Sequence, residues 1–213
     1  MKYFDLSRHL PLIAILRGIE PDDVVRVASL LKLQGFSMIE VPLNSPNALE
    51  SIRLLVTHFD LNDMLIGAGT VTNVKQAQDV IATGANLVVT PNMNPEVIQI
   101  SRAAGCAVFP GVVTPTEAFD ALAAGATGLK LFPISALRLD GFRALLSVLP
   151  EGTPCMPVGS IDATEDSMYP FMEAGAVGFG LGSALYKPNM SDVEIEAKAQ
   201  AFVSIFRRNI GRI

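Results

Sequence analysis

Thr127-Gly128-Leu129-Lys130-Leu131-Phe132-Pro133 is a short apolar run with a lysine at its centre and a proline at its end. Side chains alternate between the two faces of a β-strand, so a strand here places Gly128, Lys130 and Phe132 on one face. Burying the Lys130 ammonium among apolar neighbours is costly unless the group is paired or neutral. Desolvation lowers the pKa of a lysine, and a neutral lysine can attack carbonyl carbon. Lys130 is therefore a candidate nucleophile; the alternative is a strand-end lysine whose head reaches solvent.

Similar runs recur along the chain, each followed by a loop and an amphipathic segment with helix-capping residues. Eight such units of roughly 25 residues predict an α/β fold, the (β/α)8 TIM barrel, with a short N-terminal helical prefix. A doubly wound open sheet is the alternative. The turn Arg17-Gly18-Ile19-Glu20 lacks the G-x-G-x-x-G pattern expected of such a sheet. The length suits a single domain over residues 1–213. The predicted strands are residues 12–16, 37–41, 65–68, 86–89, 106–109, the lysine run, 155–158 and 177–180.

Residues that start and stop helices support this alternation. Three helices are predicted to end in near-copies of one motif, in which Gly84, Gly125 or Gly175 supplies a left-handed C-cap before an alanine. A further helix is predicted over about residues 139–149. The predicted N-terminal signals are Ser45 with Pro46, Asn73 with Gln76, Asn94, Thr114 with Glu117, Asp162 with Glu165, and Ser191 with Glu194.

The composition restricts the classes of function. With 17% charged residues and a net charge of −5, the chain shows no basic footprint for nucleic acid or an anionic membrane. No apolar run reaches the ~18 residues that a membrane span needs. Cys106 and Cys155 lie in apolar runs, as buried reduced thiols do, and the charged N-terminus is unlike a signal peptide. We therefore expect a cytoplasmic protein.

His9 and His58 are the only histidines, which disfavours a Ser-His-Asp triad and a metal site, so no cofactor is expected.

Polar residues follow several predicted strands, at the ends where chemistry occurs in this fold. Glu40 is either a general acid/base near Lys130, with its pKa raised by burial, or the salt-bridge partner of Arg17. Arg17 is either that partner or a bidentate ligand for a substrate carboxylate. Thr70 is either a turn residue or a hydroxyl donor to a ligand that the neighbouring glycines allow to approach closely.

Two late stretches, Gly159-Ser160 and Gly180-Leu181-Gly182-Ser183, lie where such barrels usually bind phosphate. Backbone N–H groups and a hydroxyl can hold a dianion without a lysine, although a single Gly-Ser pair is more often a plain turn. A lysine, a carboxylate, an arginine and a phosphate pocket suit imine chemistry on a phosphorylated keto acid. This small molecule is the expected partner.

The chain also resembles the KDPG/KHG aldolase family, from about Leu12 to Phe206. The motifs that carry the resemblance are Ile13-Ala14-Ile15-Leu16-Arg17-Gly18, Glu40-Val41-Pro42-Leu43-Asn44-Ser45-Pro46, Gly67-Ala68-Gly69-Thr70-Val71, Thr90-Pro91-Asn92, Pro110-Gly111, Leu129-Lys130-Leu131-Phe132-Pro133 and Gly180-Leu181-Gly182-Ser183. Within the family, the chain is most similar to members that act on the galactonate epimer. The resemblance implies a class I aldolase that splits 2-dehydro-3-deoxy-6-phospho-D-galactonate into pyruvate and D-glyceraldehyde 3-phosphate, and a homotrimer.

By the same resemblance, Lys130 would be the Schiff-base lysine and Glu40 the proton shuttle. Arg17 and Thr70 would lie at the carboxylate end of the substrate, and the late Gly/Ser turns would bind its phosphate. The remaining expected substrate-binding residues are Pro91, Asn44, Phe132 and Val158. One departure is Ser160, where the family usually has a second glycine.

Val158 and Asn44 point to the galactonate epimer, because gluconate-type relatives look to carry threonine and arginine at these positions. One alternative is an aldolase acting mainly on the gluconate epimer or on 4-hydroxy-2-oxoglutarate. A second is a phosphosugar epimerase or isomerase that uses Lys130 and Glu40 only as acid and base. A third is a phosphosugar-binding barrel without catalysis.

Overall fold

A computed structural model describes residues 8–210, and most of the predicted N-terminal helical prefix lies outside them. Within this range the chain forms nine strands and eight helices. The strands are β1 (Leu12–Ile15), β2 (Met38–Pro42), β3 (Leu65–Gly69), β4 (Leu87–Val89), β5 (Ala107–Phe109), β6 (Gly111–Val112), β7 (Leu129–Leu131), β8 (Cys155–Pro157) and β9 (Phe179–Leu181). The helices are α1 (Pro21–Leu33), α2 (Ala48–His58), α3 (Val74–Ile81), α4 (Pro95–Ala103), α5 (Pro115–Ala123), α6 (Ile134–Leu146), α7 (Glu165–Glu173) and α8 (Asp192–Ile210).

The strands are parallel and form two sheets, one of six strands in the order β5-β4-β3-β2-β1-β9 and one in the order β6-β7-β8. An isolated parallel bridge between Val158 and Gly180 joins the end of β8 to β9. Between β5 and β6 the chain contains only Pro110. Proline cannot donate a backbone hydrogen bond, so it interrupts the ladder at this point. The predicted fifth strand is therefore observed as β5, and a second short strand, β6, follows it directly after Pro110.

The two faces of the strands bury different sets of side chains. Leu129 and Leu131 of β7 belong to the large core cluster between the strands and the helices. A second cluster contains alternate residues from both sheets, among them Met38 of β2 and Met156 of β8, with Phe132 packed against it. Both sheets therefore face one interior. Because side chains alternate along a strand, Lys130 lies on this inner face, as its position in the lysine run predicts.

Most predicted helix boundaries are confirmed. The side chains of Asn73, Asn94 and Thr114 accept backbone N–H groups of α3, α4 and α5, and Thr114 forms a full capping box with Glu117. The capping pair Ser191 and Glu194 exchanges the same contacts before α8. The three glycines after α3, α5 and α7 have positive φ angles of 85°, 96° and 108°, which suits a residue without a Cβ.

Three predicted helix boundaries are wrong. Helix α2 begins at Ala48 with Asn47 at its N-cap, so Ser45 is not the cap; the Ser45 hydroxyl instead accepts the N–H of Gly18 at 2.9 Å. Helix α6 starts earlier and ends earlier than the predicted 139–149, and it is interrupted at Arg138 (φ 57°, ψ 178°). Helix α7 is capped by Thr164, not Asp162. Among residues 8–210, no helix is long and apolar enough to cross a membrane.

Candidate active site

Lys130 lies in the middle of β7, in register with Gly111 of β6 and Met156 of β8. Its side chain is 6% exposed, and its Nζ lies 4.7 Å from the centroid of the Phe132 ring. Burial lowers the pKa of Lys130; the Glu40 carboxylate opposes this shift and the Arg17 guanidinium adds to it. The amine is therefore neutral over a wider pH range than an ordinary lysine, which makes it a better nucleophile.

Glu40 lies in β2, in register with Ile15 of β1 and Gly67 of β3. It is 1% exposed, and its Oε2 atom has no hydrogen-bond partner within the described part of the chain. Burial raises the pKa of Glu40 to about 7, although Lys130 and Arg17 both act to lower it. A carboxyl group with this pKa can both accept and return a proton near neutral pH.

Arg17 is fixed by the loop that follows β2. Its Nη1 donates to Asn44 Oδ1 at 2.5 Å, and the neighbouring Gly18–Ser45 hydrogen bond joins the same two loops. No ion pair within 4.0 Å connects Arg17 with Glu40 in the range 8–210. The salt bridge between Arg17 and Glu40, one of the alternatives that the sequence allowed, is therefore not formed. Arg17 is exposed, so its guanidinium can receive an anion.

A cavity of about 390 Å³ brings most of the predicted site residues together. Glu40 and Asn44 are not in its wall: Glu40 is buried, and Asn44 contacts the cavity residue Arg17. The predicted residues that line the cavity are Arg17, Thr70, Pro91, Lys130, Phe132, Val158, Gly159, Ser160, Gly182 and Ser183. The other lining residues are Ile15, Ile161, Asp162, Gly180 and Ala184. Of these, only Gly180 belongs to a stretch that the sequence connected with phosphate binding.

Thr70 has a positive φ of 57°. A β-branched residue in this conformation is strained by about 1–3 kcal/mol, and such residues cluster at functional sites. Thr70 directly follows β3 and lines the cavity. The strain supports a role in contacting a ligand rather than in a plain turn.

The turns after β8 and β9 line the cavity and contain backbone N–H groups without a partner in the described part of the chain. Gly182 accepts hydrogen bonds from the N–H groups of Leu185 and Tyr186, so the chain turns as at the start of a helix. The N–H groups of Ser160 and Ser183 donate to no residue between 8 and 210. Free backbone N–H groups in such turns can bind an anion.

Asp162 is the acidic residue in the cavity wall. Its backbone N–H donates to Ser167 Oγ, and its side chain is exposed. From the sequence, Asp162 was predicted only as a helix start. Its position two residues after Ser160, on the same strand-end loop, is the signal that could have placed it at the cavity.

The comparisons with known proteins agree with this architecture. The family model "KDPG and KHG aldolase" matches residues 5–200. A probable 2-dehydro-3-deoxy-6-phosphogalactonate aldolase of Rhizobium meliloti (strain 1021) is 42% identical over 92% of this chain and 91% of its own length. The 2-dehydro-3-deoxy-6-phosphogalactonate aldolase of Escherichia coli (strain K12) is 41% identical over 94% of this chain and 97% of its own. A solved native KDPGal structure superposes with a TM-score of 0.92 at 39% identity, covering 99% of this chain and 100% of that one.

These matches define the class of the protein: it is an aldolase, a carbon–carbon lyase with an α/β fold. More narrowly, the chain belongs to the KDPG and KHG aldolase family.

Proposed function

We propose that this aldolase cleaves 2-dehydro-3-deoxy-6-phospho-D-galactonate to pyruvate and D-glyceraldehyde 3-phosphate through an imine on Lys130. The observation that carries the proposal is a buried lysine with a lowered pKa on the inner face, electrostatically coupled to a buried carboxyl of pKa about 7. The two relatives at 41–42% identity, both named for the galactonate substrate, support this choice of substrate.

The reaction begins when neutral Lys130 Nζ attacks the C2 ketone, and loss of water gives a protonated imine. Glu40, directly or through a water, removes the proton of the C4 hydroxyl. The C3–C4 bond then breaks, its electron pair moves into the iminium to form an enamine, and C4 leaves as the aldehyde of glyceraldehyde 3-phosphate. Protonation of the enamine at C3 and attack of water on the imine release pyruvate and regenerate Lys130.

The cavity wall offers separate subsites for the two charged ends of this substrate. Arg17, held by Asn44, would bind the carboxylate with the help of the Thr70 hydroxyl. The turns at Gly159-Ser160 and Gly182-Ser183 would hold the phosphate through backbone donors and hydroxyls. Phe132 and Pro91, which also line the cavity, would give the substrate an apolar wall.

The phosphate is expected to affect the rate as well as affinity, since remote binding energy can be used at the reacting carbon. We therefore expect kcat/KM to fall, with a decrease in kcat, when the substrate lacks its 6-phosphate. Steady-state cleavage of the two compounds measures this. Equal kcat/KM values would remove the phosphate role from the turns at Gly159-Ser160 and Gly182-Ser183.

Val158 carries the proposed choice of epimer. It directly precedes the Gly159-Ser160 turn, belongs to the inner cluster and lines the cavity, and it is 5% exposed. The galactonate and gluconate substrates differ at C4, the carbon that becomes the aldehyde, so the choice concerns which face of the aldehyde meets the enamine. A threonine hydroxyl there could hold the C4 oxygen in one orientation. Valine has nearly the same shape and no donor, which leaves the opposite face competitive.

Condensation of pyruvate with glyceraldehyde 3-phosphate tests this assignment, because NMR resolves the two C4 products. We expect mostly galactonate-type product with detectable gluconate-type product, since contacts of this kind discriminate by roughly 10–200-fold. Val158→Thr should shift the ratio towards gluconate. The side chain at position 158 packs on Gly180, and threonine fills the same space.

Mostly gluconate-type product from the wild type, or an unchanged ratio in Val158→Thr, would contradict the galactonate assignment while leaving the aldolase class intact. Cleavage of 4-hydroxy-2-oxoglutarate at a higher kcat/KM would favour the other activity of the family.

We also propose a barrel architecture, an oligomeric state and a location for this protein. A closed eight-stranded barrel in a single domain is supported by the Val158–Gly180 bridge, the one-residue gap between β5 and β6 and the shared inner cluster. A homotrimer is supported by the family resemblance, and analytical ultracentrifugation tests it. The free, buried cysteines Cys106 and Cys155 are consistent with a cytoplasmic location.

A further inference from the structure

The position of the Glu40 carboxyl group is set by packing rather than by hydrogen bonds. Its Oε2 has no hydrogen-bond partner among residues 8–210, although the side chain is 1% exposed. Burial of an unpaired carboxyl oxygen is costly, so the surrounding fold must hold it there.

Gly69 supplies the space that the Glu40 carboxyl occupies. An ideal Cβ built on Gly69 would fall closer than 3.0 Å to all three carboxyl atoms of Glu40, Cδ, Oε1 and Oε2. The two residues lie on neighbouring paired strands, where Glu40 of β2 is in register with Gly67 and Pro42 with Gly69. The carboxyl group therefore lies along β2 and β3, directly over the Cα of Gly69.

The backbone of Gly69 does not require glycine. Its φ is outside the positive range found at eight other glycines, such as Gly159 at 96°. An alanine could adopt this strand conformation without strain. What excludes a side chain at position 69 is thus the Glu40 carboxyl itself.

We propose that Gly69 is a positioning residue for the reaction. Because it has no side chain, it leaves the space in which the Glu40 carboxyl lies for proton transfer. This inference rests on the proposed function, in which Glu40 carries the C4 hydroxyl proton and the C3 proton. An added methyl group at position 69 displaces the carboxyl, whereas it does not compete with Lys130 for space: the three atoms nearest to that methyl carbon all belong to Glu40.

Gly69→Ala should therefore separate imine formation on Lys130 from proton transfer by Glu40. Pyruvate should still be trapped on Lys130 by borohydride, whereas deuterium exchange at the pyruvate methyl should fall by about 10²–10⁴-fold, the range for loss of a general acid/base. In steady-state cleavage, the loss of activity should appear in kcat more than in KM. The rise of kcat/KM with pH near the Glu40 pKa of about 7 should move or disappear.

Ala68→Gly is the matched control, because Ala68 lies on the same strand but packs in the outer core cluster. It should lower thermal stability and keep the exchange rate and its pH dependence. A purely structural effect of Gly69→Ala would resemble this control.

The Glu40→Ala background distinguishes the inference from misfolding. There the methyl group at position 69 meets no carboxyl, so Gly69→Ala should leave the residual exchange rate unchanged and raise the melting temperature rather than lower it. A further loss of exchange in this background, or wild-type exchange in the single variant, would overturn the positioning role. Wild-type exchange in Glu40→Ala itself would instead overturn the proposed function of Glu40, whatever Gly69→Ala does.

Discussion

Lys130→Ala is expected to reduce aldol cleavage by roughly 10⁶-fold, the scale of loss when a covalent nucleophile is removed. The reason is that the imine nitrogen accepts the electron pair of the breaking C3–C4 bond, and no other described lysine lines the cavity. Steady-state kinetics with a coupled assay for pyruvate measures the loss. Binding of the substrate should decrease much less, since Arg17 and the phosphate turns remain.

Two further variants make the Lys130 result specific. Lys130→Met keeps a side chain of similar length without the ammonium group, so it should be as inactive as Lys130→Ala while the buried space stays filled. Lys187→Ala should keep wild-type activity, because Lys187 is exposed and lies outside the cavity wall. Substantial cleavage by Lys130→Met would show that the Lys130 amine is not required for the reaction, and would contradict the imine mechanism.

Glu40→Gln is the second variant with a large expected effect. It should still form the pyruvate imine, because the carboxylate is an interaction that raises the pKa of Lys130 and its removal favours the neutral amine. Proton exchange at the pyruvate methyl should fall by about 10²–10⁴-fold. Exchange into deuterated water, followed by NMR, measures this. An unchanged rate would make Glu40 a structural residue.

The pH dependence gives an independent check on Glu40. Its raised pKa of about 7 means that the carboxylate, the form that accepts a proton, increases as pH rises through 7. Since kcat/KM reports the ionisation of the free enzyme, exchange in the wild type should rise with pH in this region. Glu40→Gln should lose this part of the profile, and any rise that remains belongs to deprotonation of Lys130.

The strands and the inner position of Lys130 could be predicted from the sequence because both follow local rules. Strand alternation puts Lys130 opposite to Leu129 and Leu131, and the structure places those two leucines in the outer core. The glycine stops and the caps at Asn73, Asn94 and Thr114 also depend on a few neighbouring residues. Their outcome does not require knowledge of the tertiary fold.

What could not be predicted depends on contacts between distant segments. Ser45 is not a helix cap because its hydroxyl accepts the N–H of Gly18, 27 residues earlier. Asn44 was connected in the sequence only with the choice of epimer, and its hydrogen bond with Arg17 appears only when the loops after β1 and β2 meet. The need for glycine at position 69 likewise could not be predicted, because the carboxyl group of Glu40 on a neighbouring strand occupies the space over it.

Borohydride reduction in the presence of pyruvate tests the imine on Lys130 most directly. Hydride converts an imine between Lys130 Nζ and C2 of pyruvate into a stable secondary amine, which peptide mass mapping locates. We expect irreversible inactivation with one adduct on Lys130, and no adduct in Lys130→Met. If Lys130 stays unmodified and the enzyme keeps its activity after this treatment, the imine mechanism is wrong.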